Sequence, residues 1–344
     1  MCLLKCKKHR DVLFNITQEQ RRILMFSFII LKKLANYGGV ELTKKRKKDN
    51  LLCFKYTKLI DAINNGISCL NSSDVNNEIL IGSKNVVRVY NLEDNKNSKE
   101  FFIENSNSIV GVFKNKNALI TGVEDGRVIV QSFNDEENLL IKSINVGSNI
   151  SCLKQGHLLE KFATGGNENP LKLWDLETGK VEFIAKSPKP DMLQLKQPCY
   201  VSDVGFYNNN KIAVAHRHGI VDLHDPLSNQ RRPVATCKVV NNGFVSLKTI
   251  PDYSDYEVIV GSSKGSIYHY DFRGKSSLPV KTFRGCTGSV RAVDCITSLN
   301  KLYVLSISLD CHIRMHNFSI GDITVQDYIV GKPSALLVIS DTDS

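Results

Sequence analysis

Two short apolar segments flank a Gly/Asn turn in Phe162-Ala163-Thr164-Gly165-Gly166-Asn167-Glu168-Asn169-Pro170-Leu171-Lys172-Leu173-Trp174-Asp175. The second segment ends in an aromatic residue followed by an acid. Comparable segments recur along the chain, and the positions equivalent to Trp174 lie 42 to 50 residues apart. In chain order the segments are Val86–Asn91, Arg127–Ser132, Leu171–Asp175, Ile220–Asp225, Ser266–Asp271 and His312–Asn317. A period of about 40–50 residues with four short strands per unit is typical of propeller blades.

The rest of the repeat supports an all-β propeller. Turns such as Glu124-Asp125-Gly126, Arg217-His218-Gly219 and Ser263-Lys264-Gly265 precede the third strands, and glycine there allows a tight hairpin. Six units lie between residues 66 and 318. We expect a seventh blade built from both ends, because closure removes exposed sheet edges; six blades or an imperfect closure is the alternative. Its expected strands are Ile323–Tyr328, Ala335–Ile339, Gly39–Leu42 and Leu51–Phe54.

The charge is concentrated at the N-terminus. The 344 residues carry a formal net charge of +10, but residues 1–60 hold 15 Lys/Arg against 4 Asp/Glu, and the remainder is nearly neutral. A capping box at Thr17 and Gln20 predicts a helix from Gln18 to Leu34. The apolar run Ile23–Leu31 is under half the ~20 residues that a membrane span needs, so we expect no membrane segment.

These features predict three regions. Residues 1–35 are expected to form a short basic extension, partly helical or poorly ordered, residues 36–340 the propeller, and residues 341–344 a C-terminal tail. Five consecutive cations, Lys44, Lys45, Arg46, Lys47 and Lys48, are a candidate nuclear-import signal and are also suited to RNA phosphates. A solvated charge run is the alternative interpretation of the same five residues.

An ordered set of segments carries a resemblance to a known family. The WD-repeat signature is matched by Leu173-Trp174-Asp175-Leu176, and the other units have only related pairs such as Tyr270-Asp271. The set as a whole resembles the nucleolar WD-repeat ribosome-assembly factors, and the matching segments are densest over residues 162–318. Its segments are Phe162–Leu176, Ala185-Lys186, Asp191–Leu195, Asp225-Pro226, Gln230–Val234 and Gly288–Arg291.

The resemblance implies a seven-bladed WD-repeat β-propeller that docks on precursors of the large (60S) ribosomal subunit in the nucleolus of the nucleus. It implies pre-60S particle proteins as partners, release by an AAA-type ATPase, rRNA as a further contact, and no known catalysis. The family's Lys/Arg-rich segment after the propeller has no match in Asp341–Ser344. We expect no cofactor and no small-molecule substrate.

Candidate docking residues are cations in loops, which commonly carry function on rigid scaffolds. Arg231 and Arg232 follow a third strand between two prolines, and adjacent guanidinium groups fork onto phosphate or carboxylate. Arg291 stands near the start of an inner strand, and Lys186 lies in a Pro-flanked connection. Plain solvent exposure, or ion pairs with blade acids, is the alternative for each.

Catalytic and metal sites are not expected. No nucleophile elbow, P-loop or zinc-protease motif occurs in the sequence. His216 and His218 stand at a turn without cysteines or carboxylates at zinc spacing, and His312 and His316 lie on a strand, where structural roles are expected. We therefore predict that the protein is not an enzyme.

A second function remains open on the sequence. Tyr270-Asp271-Phe272-Arg273 resembles the element that substrate receptors of cullin-type ubiquitin ligases carry at the end of a third strand, with Tyr in place of Trp. That resemblance makes a ubiquitin-ligase receptor the alternative to a ribosome-assembly factor.

Overall fold

A computed structural model describes the backbone of residues 26–32, 38–44 and 52–57 and most of residues 66–340. The gaps after residue 66 are 74–77, 93–95, 134–139, 188–197, 251–252 and 299–300, with single positions at 105, 107, 157, 159, 229, 240, 275 and 330. Every regular element within these ranges is a β-strand. The first three are β1 (Phe26–Lys32), β2 (Gly38–Lys44) and β3 (Leu52–Thr57).

Six four-stranded antiparallel blades follow one another in chain order. Blade 1 comprises β4 (Ile67–Ser72), β5 (Glu78–Ser83), β6 (Val86–Asn91) and β7 (Lys96–Phe102). Blade 2 comprises β8 (Ile109–Asn115), β9 (Ala118–Val123), β10 (Arg127–Ser132) and β11 (Leu140–Asn145). Blade 3 comprises β12 (Ile150–Gln155), β13 (Lys161–Gly166), β14 (Asn169–Asp175) and β15 (Val181–Ile184).

The second half of the ring repeats the same arrangement. Blade 4 comprises β16 (Val201–Phe206), β17 (Ile212–His216), β18 (Ile220–His224) and β19 (Ala235–Lys238). Blade 5 comprises β20 (Phe244–Thr249), β21 (Glu257–Ser262), β22 (Ile267–Asp271) and β23 (Lys281–Phe283). Blade 6 comprises β24 (Val290–Ser298), β25 (Lys301–Ser308), β26 (His312–Asn317) and β27 (Ile323–Tyr328). The last strand is β28 (Pro333–Ser340).

The predicted closure of the propeller is wrong. Seven blades were expected, with Ile323–Tyr328 in the last, but that segment is β27 and completes blade 6. The arrangement is six-bladed over residues 67–328, which agrees with the alternative of six blades. We call the remaining sheet the closing sheet: β28 lies between β24 and β4, and on its other side the backbone pairs in the order β28-β1-β2-β3.

The predicted N-terminal helix is also wrong. Residues 26–32 form β1, which pairs with β28 from Phe26↔Ser340 to Lys32↔Pro333. An apolar run of this length is compatible with a buried helix or a strand, and here pairing with a distant segment decides in favour of the strand. The predicted division at residues 35 and 340 stays a prediction, since residues 1–25, 33–37 and 341–344 lie outside the described part.

The hydrophobic core lies between neighbouring blades. One cluster joins Phe113 and Ile120 of blade 2 to Leu153, Phe162 and Trp174 of blade 3, and comparable clusters occupy the other blade interfaces. The Phe162 and Trp174 rings are nearly parallel, with centroids 6.2 Å apart. Buried Trp174 also donates its indole N–H to Thr164 Oγ1 at 2.9 Å. The signature tryptophan therefore ties two strands of its blade together and belongs to the core shared with blade 2.

Three histidines are buried on the third strands of blades 4 to 6: His224, His269 and His316. Burial lowers the pKa of all three, and lowers that of His224 to about 4. The His224 ring packs against Phe183 of blade 3, with ring centroids 6.1 Å apart. Burial therefore favours the neutral imidazole at these three positions.

We expect Trp174→Phe to destabilise the protein by about 1–3 kcal/mol, because Thr164 loses its hydrogen-bond partner inside the core. Urea unfolding followed by circular dichroism measures the loss. The double variant Thr164→Val with Trp174→Phe removes both polar partners and should cost less than the sum of the single variants. Strictly additive losses would contradict the importance of this hydrogen bond.

We expect the free energy of unfolding to fall as the pH drops from about 6.5 to about 4, because the unfolded chain binds a proton at His224 that the folded state excludes. His224→Gln should remove roughly 1–3 kcal/mol of this dependence. Urea unfolding across this pH range measures it, with exposed His218→Gln as the matched control. An unchanged pH dependence in His224→Gln would contradict the prediction.

Candidate functional site

Lys186 and Arg231 meet at the rim between blades 3 and 4. The Arg231 guanidinium donates through Nε to the Ile184 carbonyl at 2.7 Å, and the Lys186 backbone N–H donates to the Arg231 carbonyl at 2.8 Å. These bonds join the segment before β19 to the end of β15. The side chains of Lys186 and Arg232 remain exposed. We call these three residues the rim site.

A small cavity lies beneath Lys186. It has a volume of about 30 Å³ and is lined in part by Cys199, His216, Asp222 and His224. Nε2 of His216 lies 3.2 Å from a carboxylate oxygen of Asp222, and Thr236 donates to the other oxygen at 2.7 Å. The space is suited to about one water molecule, far below the volume of ordinary ligand pockets.

The histidines weighed as metal ligands are separated in the structure. His216 points to Asp222, whereas His218 is exposed at the hairpin tip. His312 contacts the Asp310 carbonyl at 2.8 Å, and buried His316 contacts the Arg284 carbonyl at 3.1 Å. In the described ranges, no group of three or more His, Cys, Asp or Glu side chains is arranged to hold a metal ion.

Arg291 lies two blades further round the ring, at an irregular position of β24. The pairing with β25 shifts between Val290 and Ala292, so Arg291 occupies a β-bulge. Every blade has the same shift at the second residue of its inner strand. The residues at the other five bulges are uncharged: Ser68, Val110, Ser151, Ser202 and Val245. Blade 6 is therefore distinguished by an exposed guanidinium there.

Further exposed cations lie on the same face of blades 4 to 6. The hairpin between the second and third strands carries Arg217 and His218 in blade 4 and Lys264 in blade 5, and Arg284 stands in the connection into blade 6. We define the basic arc as Arg217, His218, Lys264, Arg284 and Arg291. None of its members has an ion pair with another described residue, although Arg217 lies over the Tyr200 ring, 5.2 Å from its centroid.

Backbone contacts make the arc continuous. Val239 N–H donates to the Gly219 carbonyl at 2.9 Å, which ties the connection after blade 4 to the blade 4 tip. Ser263 N–H donates to Gly243 at 2.8 Å, which ties the blade 5 tip to the same connection. Gly219 has a φ of 77°, and a Cβ there would clash with the carbonyl oxygen of Asn242. Glycine is thus required where the tip and the connection approach.

The next junction is equally close. A Cβ at Gly265, with a φ of 85°, would clash with the carbonyl oxygen of Cys286 in the connection after blade 5. Leu309 N–H donates to the Ser289 carbonyl at 2.9 Å, which attaches the blade 6 tip. The tips and connections that carry Arg217, Lys264 and Arg284 therefore form one packed ridge.

The arc contrasts with the same face of blades 2 and 3. The equivalent tips there carry Glu124, Asp125 and Glu168, and Asp125 pairs with Arg127 at 2.6 Å. In blade 6 the tip acid Asp310 is neutralised internally by Arg314 at 2.7 Å. Burial alone would raise the pKa of Asp310, but hydrogen bonds from Arg314 and Ser308 hold it well below its usual range.

The four docking residues predicted from the sequence lie at two separate places in the structure, and their role in docking stays a prediction. Lys186 and Arg231 come together at the rim, Arg232 is beside them, and Arg291 belongs to the separate arc. Arg217, Lys264 and Arg284 were not among the predicted docking residues. A comparison of charge in the turns before the third strands would have found the first two, because Glu124-Asp125-Gly126 changes to Arg217-His218-Gly219 and Ser263-Lys264-Gly265.

Two other predicted features have different outcomes. Lys44 is the last residue of β2, and Lys45, Arg46, Lys47 and Lys48 lie outside the described residues. Arg273 of the element resembling ubiquitin-ligase receptors is held within its own blade: Nη2 lies 2.8 Å from Asp271 and 2.8 Å from Glu257. The guanidinium is therefore already paired with two carboxylates.

No helix among the described residues is long and apolar enough to cross a membrane.

Comparison with known proteins bears on the family. WD repeat-containing protein 74 of Mus musculus is 30% identical over 246 residues, which cover 70% of this chain and 62% of that protein. The human protein of the same name is 30% identical over 214 residues, 60% of this chain and 53% of that protein. Ribosome biogenesis protein NSA1 of Meyerozyma guilliermondii is 23% identical over 271 residues, 66% of this chain and 65% of that protein. No family model matches the chain.

The matched regions span less than two thirds of each of these relatives. They nevertheless confirm the resemblance inferred from the ordered segments between residues 162 and 318, and the six WD-repeat-like blades agree with the relatives' names. The chain is therefore similar over more than half of its length to WD repeat-containing protein 74 and, at lower identity, to NSA1.

Proposed function

We propose that this protein is a non-catalytic docking factor in biogenesis of the large ribosomal subunit. The observation that carries the proposal is the match to a protein named for ribosome biogenesis, together with three mammalian proteins named WD repeat-containing protein 74. Its partners are proteins of the pre-60S particle, and its place of action is the nucleolus. The protein binds the particle as a rigid platform that presents loops.

The rim site and the basic arc are the proposed docking surfaces. Exposed cations on rigid loops contact acidic protein surfaces or phosphates without reorganisation of the fold. In the rim site, Arg231 is engaged with the Ile184 carbonyl, so its role is to position the segment, and Arg232 and Lys186 supply the exposed charge. Arg291 and the rest of the arc form the second surface.

Release from the particle is proposed to require an AAA-type ATPase. A rigid ring that is held by many weak contacts dissociates slowly as a whole, and an energy-driven step would separate those contacts together. The basic run Lys44–Lys48 is proposed to serve nuclear import. Neither step requires a catalytic residue or a cofactor in this chain.

The function is tested by sedimentation of a lysate that contains the tagged protein. We expect the protein to migrate with large-subunit precursors and to co-purify with their assembly proteins. Association with a cullin adaptor in a light complex, without ribosomal proteins, would overturn the proposal. It would support the ubiquitin-ligase receptor instead, although the pairing of Arg273 with Asp271 and Glu257 gives that alternative no structural support.

We expect Arg232→Glu to reduce co-sedimentation with large-subunit precursors about tenfold, because it reverses an exposed charge at the rim site. Quantitative immunoblotting of the gradient fractions measures the change. Exposed Lys180→Glu, on the connection between β14 and β15, is the matched control and should leave association unchanged. Normal association of Arg232→Glu would remove this residue from the docking surface.

A further inference from the structure

We propose that the basic arc binds the sugar-phosphate backbone of RNA. The inference rests on the proposed function, because it names the partner of one of the two docking surfaces. It concerns Arg217, His218, Lys264, Arg284 and Arg291, which lie along one ridge over blades 4 to 6.

Local charge is the first argument. Outside residues 1–60 the chain is nearly neutral, so the whole propeller does not attract polyanions by its net charge. The arc collects four exposed Lys and Arg side chains, and no described carboxylate pairs with them. The equivalent tips of blades 2 and 3 carry acids instead. The positive charge of this face is therefore concentrated over blades 4 to 6, with exposed Lys84 at the blade 1 tip as a further cation.

Rigidity is the second argument. Arg217 lies over the Tyr200 ring, which restricts its side chain, and its own N–H donates to the Tyr200 carbonyl at 2.9 Å. The blade 4 and blade 5 tips are held against the connection at Gly243 and Asn242. A restricted guanidinium such as that of Arg217, and a fixed backbone beneath the other cations, reduce the conformational entropy lost when phosphate binds.

The absence of apolar anchors is the third argument. Protein interfaces have a core that is poor in charge and rich in aromatic and aliphatic side chains. The large exposed hydrophobic residues of the described chain all lie outside the arc, on outer strands and other connections. Examples are Phe102 on β7, Leu140 on β11 and Leu227 after β18. The arc is therefore better suited to a charged polymer than to a protein surface.

The extent of the arc is the fourth argument. Its cations are distributed over three successive blades, and none of them lines the cavity beside Lys186. A single phosphate or nucleotide would contact only one or two of them, whereas an RNA backbone offers phosphates at regular intervals along the ridge. Contacts of this kind position RNA without reading its sequence.

Fluorescence anisotropy of a labelled RNA duplex tests the proposal with the purified full chain. We expect Lys264→Glu with Arg284→Glu to weaken binding about tenfold or more and to reduce the slope of log K against log salt by about 2. The matched control is Lys180→Glu with Lys301→Glu. It makes the same charge change at exposed positions on the opposite face, in the connection between β14 and β15 and at the first residue of β25.

The affinity of the control for RNA should stay within about twofold of that of the unmodified protein, well short of the tenfold loss expected for the arc variant. Equal loss in both double variants would overturn the proposal, because it would show a bulk charge effect. Unchanged RNA binding by the arc variant would overturn it as well. If urea unfolding shows that this variant is destabilised, Lys264→Gln and Arg284→Gln are measured singly, with about half of the slope change expected from each.

Two further outcomes separate the arc from the proposed function. If the unmodified chain sediments with large-subunit precursors but the arc variant binds RNA normally and loses binding to poly-glutamate, the arc is a protein-binding surface and only the RNA proposal fails. If the chain binds RNA through the arc but never associates with the precursors, the RNA proposal stands and the proposed function fails.

Discussion

The ring depends on the contact of β28 with its two neighbours, β24 and β4. The Val338 amide donates to the Asp294 carboxylate of blade 6 at 3.2 Å, and the same carboxylate is 2.7 Å from Lys248 of blade 5. Leu336 and Val338 pack on the core of blade 6, whereas Leu337 packs on that of blade 1. One strand from the end of the chain therefore covers two blade surfaces that would otherwise expose apolar side chains to water.

The position of the core explains why the loops are free to carry charge. Because apolar side chains are buried between blades, the connections on the faces are not needed to fill the interior. Their backbone groups are satisfied by bonds between hairpin tips and connections, such as Ser263 with Gly243 and Leu309 with Ser289. Side chains at Lys264 or Arg284 can then vary in charge without loss of packing, which permits one half of a face to become basic.

The blade repeat could be predicted because each unit repeats the same short strands, with a turn glycine before the third strand in blades 2, 4 and 5. Closure could not, because β1 pairs with β28 across almost the whole chain, and nothing in the local pattern of Phe26–Lys32 distinguishes a strand from a helix. The expected strand Gly39–Leu42 lies within β2, and the part of Leu51–Phe54 from Leu52 onward lies within β3, but Ile323–Tyr328 belongs to blade 6. The predicted count of seven blades was wrong because it assigned Ile323–Tyr328 to a seventh blade instead of to blade 6.

The sequence by itself determined that the chain is a series of β blades, that its excess positive charge lies before residue 61, and which loops contain adjacent cations. Only the tertiary structure decided which of those cations share a surface. Arg231 is bound to the Ile184 carbonyl, 47 residues away, and is not a free fork for an anion. Arg217, Lys264 and Arg284 lie along one ridge because tips and connections from successive blades pack together, and such long-range contacts leave no local signal in the chain.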